Sequence, residues 1–112
     1  MANYLDAVYH ALSDPTRRAV LAQLASGEAA VSVLARPHSL ALPTFLKHLG
    51  VLEQSGLVRT RKVGRTRLVT AERTQLAAAE GWIRDLHTAW SGRLDRLEAW
   101  LEQHDEGVDD AP

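Results

Sequence analysis

Residues 42–67 constrain the fold more than any other stretch of the chain. Pro43 opens a helix that runs to about Gln54, because Phe45, Leu49 and Leu52 fall at i, i+4 and i+7 and form one apolar stripe. Thr44, Lys47 and Val51 fall roughly opposite that stripe, with His48 and Leu46 on its flanks. Ser55-Gly56 closes the helix. Leu57–Val63 and Arg65–Val69 then read as paired strands, rich in β-branched residues that alternate with arginine, around a two-residue Val63-Gly64 tip. Five of the 13 lysines and arginines of the chain lie here: Arg59, Arg61, Lys62, Arg65 and Arg67. A short helix with a free polar face fits a DNA major groove, and a basic hairpin beside it suits the flanking phosphates.

The flanking segments complete an outline. Tyr4, Leu5, Val8, Tyr9 and Leu12 give a first helix at helical spacing. Ser13-Asp14-Pro15 supplies a cap and a first-turn proline for a second helix that runs to about Ala25, with Val20, Leu21 and Leu24 inward and Gly27 as its stop. Arg17 and Arg18 sit in its first turn, the unfavourable end for cations. They imply an anion nearby, either Asp14 and Asp6 in local ion pairs or a phosphate. Val31 to about Arg36 is a short third helix broken by Pro37, and Pro37-His38-Ser39 is a turn. From about Thr74 to His104 a last helix carries Leu76, Ala79, Ile83, Leu86, Trp90, Leu94, Leu97 and Leu101, with Trp82 and Trp100 beside them. Steps of three and four residues make this nearly a heptad seam. At ~1.5 Å per residue the helix is about 45 Å long. A head of about 70 residues cannot cover it, so a second copy is expected on it, with the first helix alongside.

The predicted fold is therefore mainly α with a two-stranded β-wing, a winged helix-turn-helix dimerised through its first and last helices. Residues 1–104 form one domain, in which about 15–70 read DNA and about 3–12 and 74–104 dimerise, and 105–112 are an acidic tail. Leu5, Val8, Leu86, Trp90, Leu94 and Leu97 are the expected interface residues.

Charge and composition narrow the classes. Residues 1–70 hold nine Lys or Arg against four acids, whereas residues 71–112 hold four Arg against ten acids, so a net charge of −1 hides a basic front and an acidic back. That suits one face presented to a polyanion. With no cysteine there is no disulfide framework, no thiolate metal site and no cysteine nucleophile. No apolar run is long enough for a membrane span and no secretory signal is visible, so a cytoplasmic protein is expected. Neither a nucleophile–base pair nor a glycine-rich phosphate loop is present, so no catalysis is expected. Asp85 and His87 stand on the last helix as two possible metal ligands, short of a full set. Zinc asks for three or four placed ligands, so no metal and no cofactor are expected.

The chain resembles the ArsR (arsenic-repressor-like) family of small bacterial winged helix-turn-helix regulators. The resemblance rests on Ala11-Leu12-Ser13-Asp14-Pro15-Thr16-Arg17-Arg18, on Lys47-His48-Leu49 with Val51-Leu52, on Ser55-Gly56-Leu57-Val58, and on Arg61-Lys62-Val63-Gly64-Arg65. It covers about Leu5 to Leu101. It implies a homodimer that represses its own or a neighbouring promoter, with repression relieved by an inducer or a modification. Three departures stand out. Val31-Ser32-Val33-Leu34-Ala35 lacks the cysteine motif of the family's metal sensors, which excludes thiolate sensing by that route. Ala41 and Leu46 occupy two DNA-facing places that are often serine, which shifts specificity toward thymine methyl groups and DNA shape. Gly50 stands where many relatives are basic.

The expected DNA-binding residues are Thr44, Lys47 and His48 on the helix and Arg61, Lys62, Arg65 and Arg67 on the wing. The expected partner is double-stranded DNA with a pseudo-palindromic operator. A half-buried core histidine is the other reading of His48. A second function is a degenerate winged helix that binds protein without specific DNA binding, supported by Ala41, Leu46 and Gly50 on the reading face. A third keeps DNA binding and adds an unidentified small-molecule inducer between the long helices near Trp82 and Trp90.

Overall fold

The computed structural model describes residues 4–109, with side chains through residue 104. Two compact units divide between Ala79 and Glu80. The first carries α1 (Tyr4–Leu12), α2 (Pro15–Gln23), β1 (Ala29–Ala30), α3 (Val31–Ala35), α4 (Leu42–Gln54), β2 (Val58–Val63) and β3 (Thr66–Ala71). A last helix, α5 (Arg73–Asp109), begins there and makes up the second unit.

Each start and stop has a local cause. The Asp14 carboxylate accepts from the Arg17 backbone N–H at 3.0 Å, and Pro15 occupies the first turn, so α2 begins there. A single 3-10 turn, Leu24–Ser26, extends α2 as far as the sequence predicts. At the end of α4 the chain closes a Schellman motif: the Leu57 N–H donates to the Leu52 carbonyl and the Gly56 N–H to that of Glu53, both at 3.0 Å. Gly56 has φ +80°, and a Cβ there would stand 2.8 Å from Cγ of Gln75, so both backbone and space demand glycine.

Capping gives a stability prediction. The Asp14 carboxyl is held below its ordinary value of 3.8, chiefly by the Arg17 N–H and further by His48, when its ring is protonated, and by the charge of Arg17, against the opposing effect of desolvation. A depressed folded value means stability present above the unfolded value and lost as pH falls through the folded one. Asp14→Ala is expected to cost about 1 kcal/mol in urea unfolding at pH 7. The gap from wild type should narrow as pH falls below 3.8, while the neutral Asp14→Asn should keep its share of the cap throughout. A gap that stays constant with pH would refute the ionic contribution.

The core contains Val8, Ala11, Val20, Leu24, Leu34, Phe45, Leu49, Leu52, Leu57, Val58, Val69 and Ala79, so the predicted stripe of α4 is the buried one. Val8, expected at a dimer interface, is fully buried in this protomer's own core and has no side-chain area left for a partner. Leu5 packs at the edge of the core.

Two features of the sheet differ from the expectation. The sheet has three strands, in the order β1-β3-β2, because Ala29 pairs with Val69 and Ala30 with Leu68. The hairpin tip is Gly64-Arg65, since Val63 pairs with Thr66. Gly64 has φ +62°, and among the described residues no non-glycine has a positive φ. A glycine at the first central position is the mark of a type II′ turn, whose twist suits the strands.

In the second unit Trp82, Ile83, Trp90, Leu94, Leu97, Trp100 and Leu101 are each more than half exposed, and Leu86 is half-buried. The helix continues past the expected His104 to Asp109; residues 110–112 of the expected tail lie outside the described residues. His104 stacks on Trp100 with ring centroids 3.9 Å apart, and its Nδ1 lies 2.7 Å from the Trp100 carbonyl oxygen. Among the described residues no three His, Asp or Glu side chains are grouped to hold a metal ion.

Candidate nucleic-acid interface

Pairing in the hairpin sorts its charges. Directly opposed residues share a face, which places Arg59, Arg61, Leu68 and Thr70 on one side and Val58, Thr60, Lys62, Arg67 and Val69 on the other. At the base of the second face Val58 and Val69 are buried in the core. Nearer the tip the same face sets Lys62 directly opposite Arg67. Like charges so placed are destabilising on their own and become favourable beside a polyanion.

The basic residues of the hairpin are not equally available. Arg61 makes a bidentate pair with Glu28, Nε to Oε2 at 3.0 Å and Nη2 to Oε1 at 2.9 Å, and the Thr70 hydroxyl donates to the same carboxylate at 2.8 Å. These bonds hold the Glu28 carboxyl below its usual range and raise the Arg61 guanidinium above its own. Arg59 pairs with Glu72. Arg67 donates to the Thr60 hydroxyl at 3.0 Å, which donates to Glu53 on α4 at 2.9 Å. Among the described residues the side chains of Lys62 and Arg65 have no partner, and both are exposed. Arg65, with Arg67, Ser32 and Leu42, also lines a groove of about 290 Å³ between the hairpin and the starts of α3 and α4.

On α4, Thr44 and Lys47 are exposed, as are Leu42 and Leu46 at 55% and 44%. A Cβ added at Gly50 meets nothing within 4 Å, so no close packing requires glycine there. His48 is turned toward its own protein. Its Nδ1 lies 3.0 Å from an Arg17 guanidinium nitrogen and 3.7 Å from Asp14, and its side chain is 18% exposed.

Arg17 and Arg18 do something that side-chain spacing does not foretell. Arg17 is buried, and donates from Nε to the Ala11 carbonyl at 2.8 Å and from Nη2 to that of His10 at 3.1 Å. Arg18 donates to the Leu12 carbonyl at 2.8 Å. Both serve as cations at the C-terminal end of α1, where orphan carbonyls and the helix dipole favour them. Glu28 is equally silent in the sequence. It follows the Gly27 stop without any periodic context, and only the fold brings it to Arg61.

Comparison with known proteins fits this geometry. Residues 12–61, from the end of α1 into β2, match a helix-turn-helix domain family. The chain is 38% identical over 89 residues to the HTH-type transcriptional regulator Rv2034 of Mycobacterium tuberculosis, a match that covers 80% of each. It is 28% identical to the transcriptional repressor SdpR of Bacillus subtilis, across 68% of this chain and 84% of that protein. Among solved structures, the ArsR family transcriptional regulator RHA00566 superposes with a TM-score of 0.76 at 45% identity, covering 80% of this chain and 98% of its own. These relatives are regulators, not enzymes, and they favour DNA binding over a protein-interaction module. With its capped α2, its α3–α4 pair and its basic β2–β3 wing, the chain belongs to the ArsR-like family of winged helix-turn-helix transcriptional regulators, on a branch without the cysteine sensing motif.

Proposed function

We propose that the protein is a homodimeric repressor acting in the cytoplasm on a pseudo-palindromic operator at its own or a neighbouring promoter. Residues 15–70 form the reading head. α4 enters the major groove with Thr44, Lys47 and His48, and Lys62, Arg65 and Arg67 of the wing rest on flanking phosphates. α1 and α5 carry the dimer through Leu5, Leu86, Trp90, Leu94 and Leu97. The observation that carries this reading is the pair of wing cations Lys62 and Arg65, without a partner among the described residues, with Lys62 set against Arg67. The exposed apolar face of α5 supports a second copy, and the likeness to SdpR supports repression.

Fluorescence anisotropy against the upstream DNA of its own gene and against random duplex, at several salt concentrations, tests the reading. About six phosphates neutralised per dimer give a log-affinity against log-salt slope near −5, and a specific site should exceed random duplex by about a thousandfold. A slope near zero refutes the proposal.

A further inference from the structure

His48 stands where α1, α2 and α4 meet through polar groups. A guanidinium has donors only, so at 3.0 Å from Arg17 the Nδ1 of His48 must accept. The Asp14 carboxylate at 3.7 Å is beyond hydrogen-bond reach and does not compete for a proton there. A neutral imidazole has one acceptor and one donor, so with Nδ1 accepting, the proton resides on Nε2. Nε2 has no protein partner among the described residues and is not fully buried, on a side chain that is 18% exposed. Arg17 itself is fixed by its bonds to the Ala11 and His10 carbonyls and is only 8% exposed.

We propose that Arg17 is a positioning residue that locks His48 in its Nε2–H tautomer and so presents one fixed hydrogen-bond donor on α4, a turn along from Thr44, to an acceptor on DNA. The inference rests on the reading of α4 as the DNA-reading helix. The acceptor is an oxygen or nitrogen of the duplex, either a phosphate oxygen or a purine edge in the major groove. A free rotor would lose freedom on binding; a ring already held by a buried guanidinium loses little, which favours affinity through pre-organisation.

Two measurements on the intact protein test this. The first is nitrogen-15 NMR of histidine-labelled free protein at a pH where the ring is neutral, with His48 assigned by its disappearance in His48→Gln. A pyrrole-type Nε2 and a pyridine-type Nδ1 are expected, and the opposite tautomer or an even mixture overturns the lock. The second is anisotropy on a duplex selected from a random pool and on an unselected duplex, after thermal melts show that each variant folds. The glutamine amide reaches the place of Nε2, so His48→Gln should bind within about threefold of wild type. The asparagine side chain reaches only the place of Nδ1, so His48→Asn should bind about 10- to 100-fold more weakly as a dimer, at about three- to tenfold per donor removed. Weakening on the selected duplex alone identifies a base edge. Equal weakening on both, with a shallower salt slope, identifies a phosphate. Two variants that lose affinity equally, or an asparagine variant that matches wild type, overturn the role of His48. Wild-type protein that binds no duplex overturns the DNA reading itself.

Discussion

Replacing Lys62 and Arg65 together by alanine is expected to flatten the salt dependence of DNA binding by about 4 log units per log unit of salt in a symmetric dimer, at about 0.9 for each phosphate no longer neutralised. The loss should be nearly equal on specific and random duplexes, because bonds to phosphate carry no sequence information. Arg61→Ala should move the slope much less. Its guanidinium is already neutralised by Glu28 through two hydrogen bonds, so little counterion release is left to it. Anisotropy titrations between about 50 and 200 mM salt would measure both. An equal effect from Arg61 would mean that the Glu28 pair opens when DNA binds, and would reassign the phosphate to Arg61.

Phe45→Ala is expected to cost about 3–5 kcal/mol in urea unfolding, a large share of the about 5–15 kcal/mol that holds a domain together. Phe45 is fully buried, stacks on His38 with ring centroids 5.6 Å apart, and belongs to the helix whose other side carries the exposed Thr44 and Lys47. Leu46→Ala, one residue on and 44% exposed, should cost less than about 0.5 kcal/mol. Comparable losses at the two positions would refute the assignment of the stripe.

Much of the fold is legible in the chain because strong local signals agree with it. Asp14-Pro15 marks a helix start, Phe45, Leu49 and Leu52 mark a buried face, and Gly56 marks a stop that both φ and Gln75 enforce. The failures are those of context. Ala29-Ala30 is too short to show a period of two and becomes a strand only because β3 offers it an edge. The tip lies one residue later than the sequence suggests because glycine can take a positive φ at either central position of a turn, and only the pairing of Val63 with Thr66 decides between them. Val8 reads like the partly buried Leu5 and Tyr9 because a helical period names a face without saying what covers it. Arg17 calls for an acid or a phosphate, yet the last carbonyls of α1 are a third kind of negative partner, one that no spacing of side chains reveals. The site residues divide in the same way. Among the described residues Lys62 and Arg65 have no partner, as their charge suggests, whereas Arg59 and Arg61 are claimed by Glu72 and Glu28, which stand outside the hairpin.

Ala30 ends β1 and also caps α3, with Val31 the first helical residue. The joint has no slack. A displacement of β3 would pass through its ladder to β1 and from there, by continuous backbone, to α3, as along a lever with no play in its pivot. Extra residues at Gly64-Arg65 would lengthen the arm without shifting the pivot, whereas one residue inserted between Ala30 and Val31 would detune the wing from the helix pair. Within a protomer the sheet and α3 are coupled without an intervening loop, so in the proposed dimer a signal that alters grip would be more economically applied to the distance between two such heads than to the interior of either.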